Sequence, residues 1–267
     1  MPPTTADDPR GFAGPAEAYD HHVGRYGAEL AAGLIRVAGI EPGQRALDVG
    51  CGPGPLTRPL VDLLGAESVA AVDPSEPFVD ACRARVPGAD VRVGVGEALP
   101  FGDDEFDAVL AQLVVQLMED RETGVEEMAR VVRPGGVVAA CVWDARTMPV
   151  LRSFWDAALE LGAERALELD DAKRVGYENP EELADLWRAH GLAEISTGEI
   201  LVHADYESLD DLFRPFAAGA GHSGACYTAL DEPTQQELRA DVHRRLGEPE
   251  GPFALTARAW WVRGTPE

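Results

Sequence analysis

Residues 46–60 read ALDVGCGPGPLTRPL, an apolar segment that runs into three glycines and three prolines. The apolar start predicts a short buried strand, and the recurrence of Leu56, Leu60 and Leu64 every four residues predicts a helix after it. A glycine-rich turn between a strand and a helix lets a ligand approach the backbone closely, because glycine has no Cβ. The stretch therefore predicts a ligand site at the end of a strand.

The spacing within this turn separates it from two common phosphate-binding loops. A dinucleotide fingerprint, Gly-x-Gly-x-x-Gly, fails because Pro55 stands where the third glycine belongs after Gly50 and Gly52. Starting from Gly52 places Thr57 at that position, and no Gly-Lys-Ser/Thr sequence of a phosphate loop is present. Asp48 at the strand end would repel a pyrophosphate. The turn instead favours a cationic ligand that carries an amino-acid group.

Strands and helices alternate along the rest of the chain. Further strands are predicted at residues 68–73, 90–96, 106–112, 137–144, 193–205 and 253–264. Most of them are apolar and rich in β-branched residues, which is typical of strands covered on both faces. We therefore expect an α/β fold with a seven-stranded, mostly parallel sheet and helices on both faces.

Composition excludes several classes of protein. The chain has 267 residues, of which 45% are hydrophobic, so a sizeable core can form. Its formal net charge of -24 disfavours a nucleic-acid partner, although solubility alone also explains such a charge. No apolar run approaches the ~20 residues of a membrane span, and the first residues lack the basic and apolar regions of a secretory signal. We expect a cytoplasmic protein without a membrane partner.

Metal binding is not expected. The four cysteines are widely separated and show no C-x-x-C spacing, and the six histidines are scattered apart from one adjacent pair. Free thiols in a reducing compartment are the simplest interpretation.

The glycine turn belongs to a larger pattern of motifs. LDVGCGPG (47–54) resembles the first motif of class I S-adenosylmethionine-dependent methyltransferases. GVGEALPFGDDEFDAVLA (94–111) and EEMARVVRPGG (126–136) resemble later motifs of that family, in the right order and spacing. The likeness is to the small-molecule group that includes ubiquinone- and menaquinone-biosynthesis methyltransferases. It implies a Rossmann-like sheet, S-adenosylmethionine as cofactor, and a small-molecule acceptor methylated on O, N or C.

The resemblance also implies roles for individual residues. Asp73, which closes the second strand, would accept both ribose hydroxyls; the alternative is a helix cap with Pro74 at the first helical position. Glu97 would meet the adenine amino group, with Gly96 and Ala98 supplying backbone contacts. The complete expected cofactor set is Asp48, Gly50, Cys51, Gly52, Asp73, Pro74, Ser75, Gly96, Glu97, Ala98 and Gln112.

No sequence motif indicates a general base. Methyl transfer from an activated sulfonium depends mainly on positioning of the reactants and exclusion of water. Tyr19 is expected to line the active site. His22 is a candidate base, with an exposed helix histidine as the alternative. Gln116 is the third candidate catalytic residue, and it stands where many members of the family have a histidine.

The acceptor is expected to meet a helical lid. We divide the chain into a flexible segment at 1–15, a cofactor-binding core at 16–144, and a remainder at 145–267 that completes the sheet and carries two helical insertions, at about 145–178 and 206–250. Segment 213–227 is predicted to close over the acceptor, with packing of the insertions onto the sheet as the alternative. The candidate acceptor contacts are Trp143, Phe213, Phe216, His222 and Tyr227.

Two other functional classes remain open from the sequence. A protein that binds S-adenosylmethionine without transferring methyl, as a sensor, scaffold or non-methylating enzyme, would carry the same cofactor motifs. An NAD-dependent reductase is disfavoured by Pro55. The sequence does not predict the oligomeric state.

Overall fold

The computed structural model describes residues 23–163, 166–174, 177 and 179–266. Its strands are β1 (Ala46–Val49), β2 (Val69–Asp73), β3 (Asp90–Val93), β4 (Phe106–Gln112), β5 (Val132–Trp143), β6 (Leu192–Tyr206) and β7 (Phe253–Pro266). Helices of at least eight residues cover Gly27–Ala38, Thr57–Leu64, Glu76–Arg85, Arg121–Val131, Pro149–Glu160, Pro180–Ala189, Leu209–Ala217, Gly221–Thr228 and Glu232–Arg245.

All seven strands lie in one sheet, in the order β3-β2-β1-β4-β5-β7-β6. Strands β1 to β5 pair in parallel, and β7 pairs with β5 in the antiparallel sense. Every residue of β1 and β2 is buried, which fits apolar central strands covered on both faces. The predicted seven-stranded, mostly parallel, Rossmann-like sheet is confirmed.

The chain separates into two compact units. The sheet unit contains residues 27–143, 177–201 and 259–266, and the helical unit contains residues 23–26, 202–258 and the described part of 144–176. Each has a buried core of its own. The core of the sheet unit includes apolar side chains from β1, β2, β4 and β5.

Aromatic rings form the core of the helical unit. Phe154 lies 5.0 Å from Trp155 and 4.8 Å from Phe216, measured between ring centroids. Phe213 lies 5.4 Å from Phe216 and 5.5 Å from Tyr227. These spacings are typical of favourable aromatic pairs. The insertions therefore bury their large rings against one another.

Two local expectations were wrong. The fifth strand was expected at 137–144, but β5 begins at Val132 because Val132 pairs with Phe106 of β4. The register then shifts, and the next β4 pair joins Ala108 to Val137. The four residues between them form an irregularity within the strand. The alternative with Pro74 at the first helical position also fails, because that helix begins at Glu76 with Ser75 as its cap residue.

Candidate cofactor site

The glycine turn after β1 is held by backbone hydrogen bonds to the neighbouring strand. The N–H groups of Gly50 and Cys51 both donate to the carbonyl oxygen of Val72, at 2.8 and 2.9 Å. Gly50 has a φ of 73°, and a Cβ built on it would lie 2.5 Å from Cγ1 of Val114. A side chain at this position therefore meets both an unfavourable backbone conformation and a steric clash.

Gly52 faces open space. Its φ is 51°, and a Cβ built on it would have no atom within 4 Å among the described residues. The turn therefore keeps glycine at position 50 for close packing and leaves room beside position 52. A ligand could approach the backbone there.

Asp73 joins the glycine turn to the end of β2. Its Oδ2 accepts a hydrogen bond from the Gly52 N–H at 2.9 Å, and its Oδ1 accepts one from the Ser75 N–H at 2.8 Å. The side chain is 7% exposed. The sequence predicted a carboxylate at this place, and the structure shows that it also orients the turn.

Asp48 is fully enclosed at the end of β1. Its Oδ2 accepts a hydrogen bond from the Thr57 hydroxyl at 2.6 Å, whereas its Oδ1 has no hydrogen-bond partner in the described part of the chain. Burial raises the pKa of Asp48 to about 7, and the charge of Asp73 adds to the rise while the Thr57 hydrogen bonds oppose it. An unpartnered buried carboxylate oxygen suits a cationic ligand.

The loop that follows β3 is tied to the turn that follows β4. Oε1 of Glu97 accepts a hydrogen bond from the Glu119 N–H at 2.8 Å and a longer one from the Asp120 N–H at 3.4 Å. A Cβ built on Gly96 would lie 2.6 Å from Cε of Met118. Glu97 therefore has a structural contact that sequence reasoning missed, in addition to its expected role toward adenine.

The turn after β4 has an unusual backbone. Leu113 has a φ of 63°, a left-handed conformation that is rare for a branched residue. Its N–H donates to the carbonyl oxygen of Cys141, and its own carbonyl accepts a hydrogen bond from Nε2 of Gln116 at 2.9 Å. Gln112 and Gln116 are 6% and 8% exposed. The structure thus buries both glutamines in this turn.

Other predicted residues lie in varied surroundings. The Cys51 side chain packs in a small buried cluster with Val79, Cys82 and Val86, and Pro74 and Ala98 are exposed. Trp143 is 7% exposed at the end of β5. Tyr19 and His22 lie outside the described residues.

The expected acceptor contacts belong to the helical unit, except for Trp143. Phe213, Phe216 and Tyr227 are buried in its aromatic core, and His222 is partly exposed. Their assignment to an acceptor site stays a prediction.

Thr57, Leu113 and the Glu97 contact were not anticipated. Thr57 stands nine residues after Asp48 and begins a helix, a spacing that could have suggested a side chain near that carboxylate. No sequence signal marks the left-handed conformation of Leu113.

The buried carboxyl group of Asp48 predicts pH-dependent stability. Its pKa rises from the ordinary 3.8 to about 7 on folding. The contribution of the protonated carboxyl group to the free energy of unfolding is therefore complete below pH 3.8 and is lost as pH rises through 7. We expect the free energy of unfolding of the wild type, relative to Asp48→Asn, to fall by about 2–3 kcal/mol between about pH 5 and pH 8. Urea denaturation at both pH values measures this difference. Parallel pH dependence in the two proteins would contradict it.

Comparison with known proteins assigns the motif region. Residues 47–140 match the family described as methyltransferase domain. The chain is 34% identical over 148 residues to malonyl-[acyl-carrier protein] O-methyltransferase from Pseudescherichia vulneris, covering 55% of this chain and 57% of that protein. It is 32% identical over 149 residues to demethylmenaquinone methyltransferase from Clavibacter sepedonicus, covering 54% and 60%. The chain thus spans little more than half the length of these relatives.

A solved structure agrees in fold. The YcgJ protein from Bacillus subtilis superposes with a TM-score of 0.56 at 18% identity, over 89% of this chain and 97% of that one. At this identity the likeness concerns the fold alone. The domain match and the named relatives confirm the predicted resemblance over the part of the chain that they cover. Residues 47–140 of this chain are therefore assigned to a methyltransferase domain.

Proposed function

We propose that this chain binds S-adenosylmethionine at the glycine turn and transfers its methyl group to a small-molecule acceptor. The observation that carries the proposal is the Asp73 carboxylate, which holds the Gly52 N–H beside open space at the carboxyl end of β2. In open α/β sheets, ligands bind at this edge.

The residues at the turn suit this cofactor. A ribose offers hydroxyl donors to a carboxylate such as Asp73. The buried Oδ1 of Asp48 has no hydrogen-bond partner among the described residues, and a cationic ligand would satisfy it. When bound, the cofactor supplies a methyl group that is already activated on a sulfonium. The chain itself must bind the cofactor and the acceptor, orient them for transfer and exclude water from the site.

Two features of the chain contribute orientation. Gly50 packs against Val114, so the glycine turn and the turn after β4 keep a fixed separation. Glu97 ties the loop after β3 to Glu119 at the same edge, where the adenine is expected. Together they hold three ligand-facing segments in one arrangement.

The names of two relatives support a proposal for the acceptor class. These names specify a malonyl-[acyl-carrier protein] and a demethylmenaquinone as acceptors. We propose a small-molecule acceptor here as well, with methylation on O, N or C.

Calorimetry and a transfer assay test the two halves of this proposal separately. We expect S-adenosylmethionine and S-adenosylhomocysteine to bind at micromolar concentrations, and NAD to bind more weakly or not at all. Tighter binding of NAD would overturn the cofactor assignment. Cofactor binding without any labelled product from isotopically labelled S-adenosylmethionine, offered with extracts of the source cells, would favour a binding protein that transfers no methyl.

Activity is expected to be independent of metal ions. In the ranges that the structure describes, no group of three or more His, Cys, Asp or Glu side chains is arranged to hold a metal ion. Treatment with a chelator should therefore leave cofactor affinity and turnover unchanged. A complete loss of turnover that one divalent ion restores would contradict this expectation.

No helix in the described segments has the length and apolar character needed to cross a membrane.

A further inference from the structure

The end of β4 and the turn after it each contain a buried amide oxygen that has no partner in the described part of the chain. Oε1 of Gln112 and Oε1 of Gln116 accept no hydrogen bond from any described residue, although the two side chains are 94% and 92% buried. Buried polar atoms in folded proteins are nearly always hydrogen-bonded, so exceptions call for an explanation such as an absent ligand. Both atoms are acceptors, and the complementary group must therefore be a donor.

The orientation of each glutamine amide is set by the hydrogen bond that its Nε2 group donates. Nε2 of Gln116 donates to the Leu113 carbonyl at 2.9 Å, which directs Oε1 away from that carbonyl. Nε2 of Gln112 donates to the Gly27 carbonyl over 3.5 Å. The left-handed backbone at Leu113 places its carbonyl within reach of Gln116. The strained conformation of Leu113 and the orientation of the Gln116 amide are therefore linked.

The chemistry of this turn restricts the acceptor. Residues 112–118, QLVVQLM, contain no titratable side chain, so the turn offers no general base. A hydroxyl acceptor near neutral pH needs a base, and a carboxylate acceptor has no hydrogen to donate. An amine is mostly protonated in neutral water, but its free-base fraction has both N–H donors and an available lone pair, so no base in the protein has to remove a proton before transfer. The net charge of -24 also attracts cationic small molecules and repels anionic ones.

We propose that Gln116 binds the nitrogen of a primary or secondary amine that is the methyl acceptor. This inference rests on the proposed function. The ammonium form releases one proton to solvent as the amine binds in its neutral form, and the neutral amine donates an N–H to Oε1 of Gln116, which leaves its lone pair for the methyl carbon. The nitrogen–carbon bond forms as the carbon–sulfur bond breaks, the electron pair stays on sulfur as S-adenosylhomocysteine, and the surplus proton on nitrogen passes to solvent.

The position of the transferred methyl group provides the first test. S-adenosylmethionine labelled with ¹³C in its methyl group is incubated with the protein and the small-molecule fraction of source cells, and NMR identifies the atom that receives the label. We expect label on nitrogen. Label on oxygen or carbon would overturn the amine assignment and leave the proposed function intact. Absence of any labelled product would overturn the transfer step itself.

Substitution of Gln116 provides the second test. In Gln116→Met, which is similar in length but lacks the amide, we expect turnover of the identified amine to fall at least 30-fold while S-adenosylhomocysteine affinity stays within twofold. Saturation-transfer NMR on the S-adenosylhomocysteine-loaded variant should show weaker amine binding, a readout independent of turnover. Amine binding and turnover equal to the wild type would overturn the role of Gln116.

Gln44→Met is the matched control. Oε1 of Gln44 accepts a hydrogen bond from the Glu41 N–H in a turn before β1, so this variant also loses an amide-to-backbone bond. It should keep amine binding and turnover. If Gln116→Met loses cofactor affinity as well, its effect is structural, and the inference fails.

Discussion

Gly50→Ala is expected to lower the free energy of unfolding by about 2–5 kcal/mol and to weaken S-adenosylmethionine binding more than 100-fold. An alanine at a φ of 73° costs about 1–2 kcal/mol, and the clash with Val114 adds an overpacking penalty of about 1–3 kcal/mol. Affinity falls because relief of the clash moves the backbone that Val72 holds in place. Chemical denaturation and calorimetry measure the two effects.

Gly43→Ala separates backbone strain from the clash. Gly43 also has a positive φ, 94°, but a Cβ built there would have no atom of the described residues within 4 Å. This control should lose only about 1 kcal/mol of stability and no cofactor affinity. Cofactor binding by Gly50→Ala within threefold of the wild type would show that the close approach to Val114 is not required.

Asp73→Ala is expected to reduce S-adenosylmethionine affinity by about 1.5–3 kcal/mol, or roughly 10- to 150-fold. The variant loses the expected ribose acceptor and releases the Gly52 and Ser75 N–H groups, so the glycine turn loses its anchor to β2. Stability should fall as well, by about 1–3 kcal/mol for the unsatisfied donors. Calorimetry and urea denaturation test both parts.

Glu76→Ala controls for charge in this experiment. Glu76 is an exposed carboxylate three residues further along the chain, and its removal changes the net charge equally. We expect its affinity to match the wild type. Equal effects of the two substitutions would mean that Asp73 acts only through long-range charge, and unchanged affinity in Asp73→Ala would remove it from the site.

The arrangement of the sheet could be predicted because it depends on local patterns. Apolar strands such as β1 and β2, separated by helical periodicity, indicate parallel pairing, and parallel strands end at one edge. Asp73 was therefore expected at the ligand edge of the sheet, from its place at a strand end together with the family resemblance. Its hydrogen bond to the Gly52 N–H is a refinement of that expectation.

Contacts fixed by tertiary packing could not be predicted in the same way. The hydrogen bond from the Glu119 N–H to the Glu97 carboxylate joins residues 22 positions apart, and no spacing rule connects them. The left-handed Leu113 contradicts its own conformational preference and persists because its surroundings hold it. The burial of Phe213 and Phe216 depends on how the helices of the helical unit meet.

The place of β7 in the sheet bears on how the nascent chain folds. β7 lies between β5 and β6, although it follows both in the sequence. Until residues 253–266 leave the ribosome, the apolar edge of β5 has no partner and β6 cannot join the sheet. Unpaired strand edges promote association between chains, and pairing across more than a hundred residues is slow. During synthesis, the chain therefore depends most on chaperones before β7 emerges, because the edge of β5 is unpaired until then.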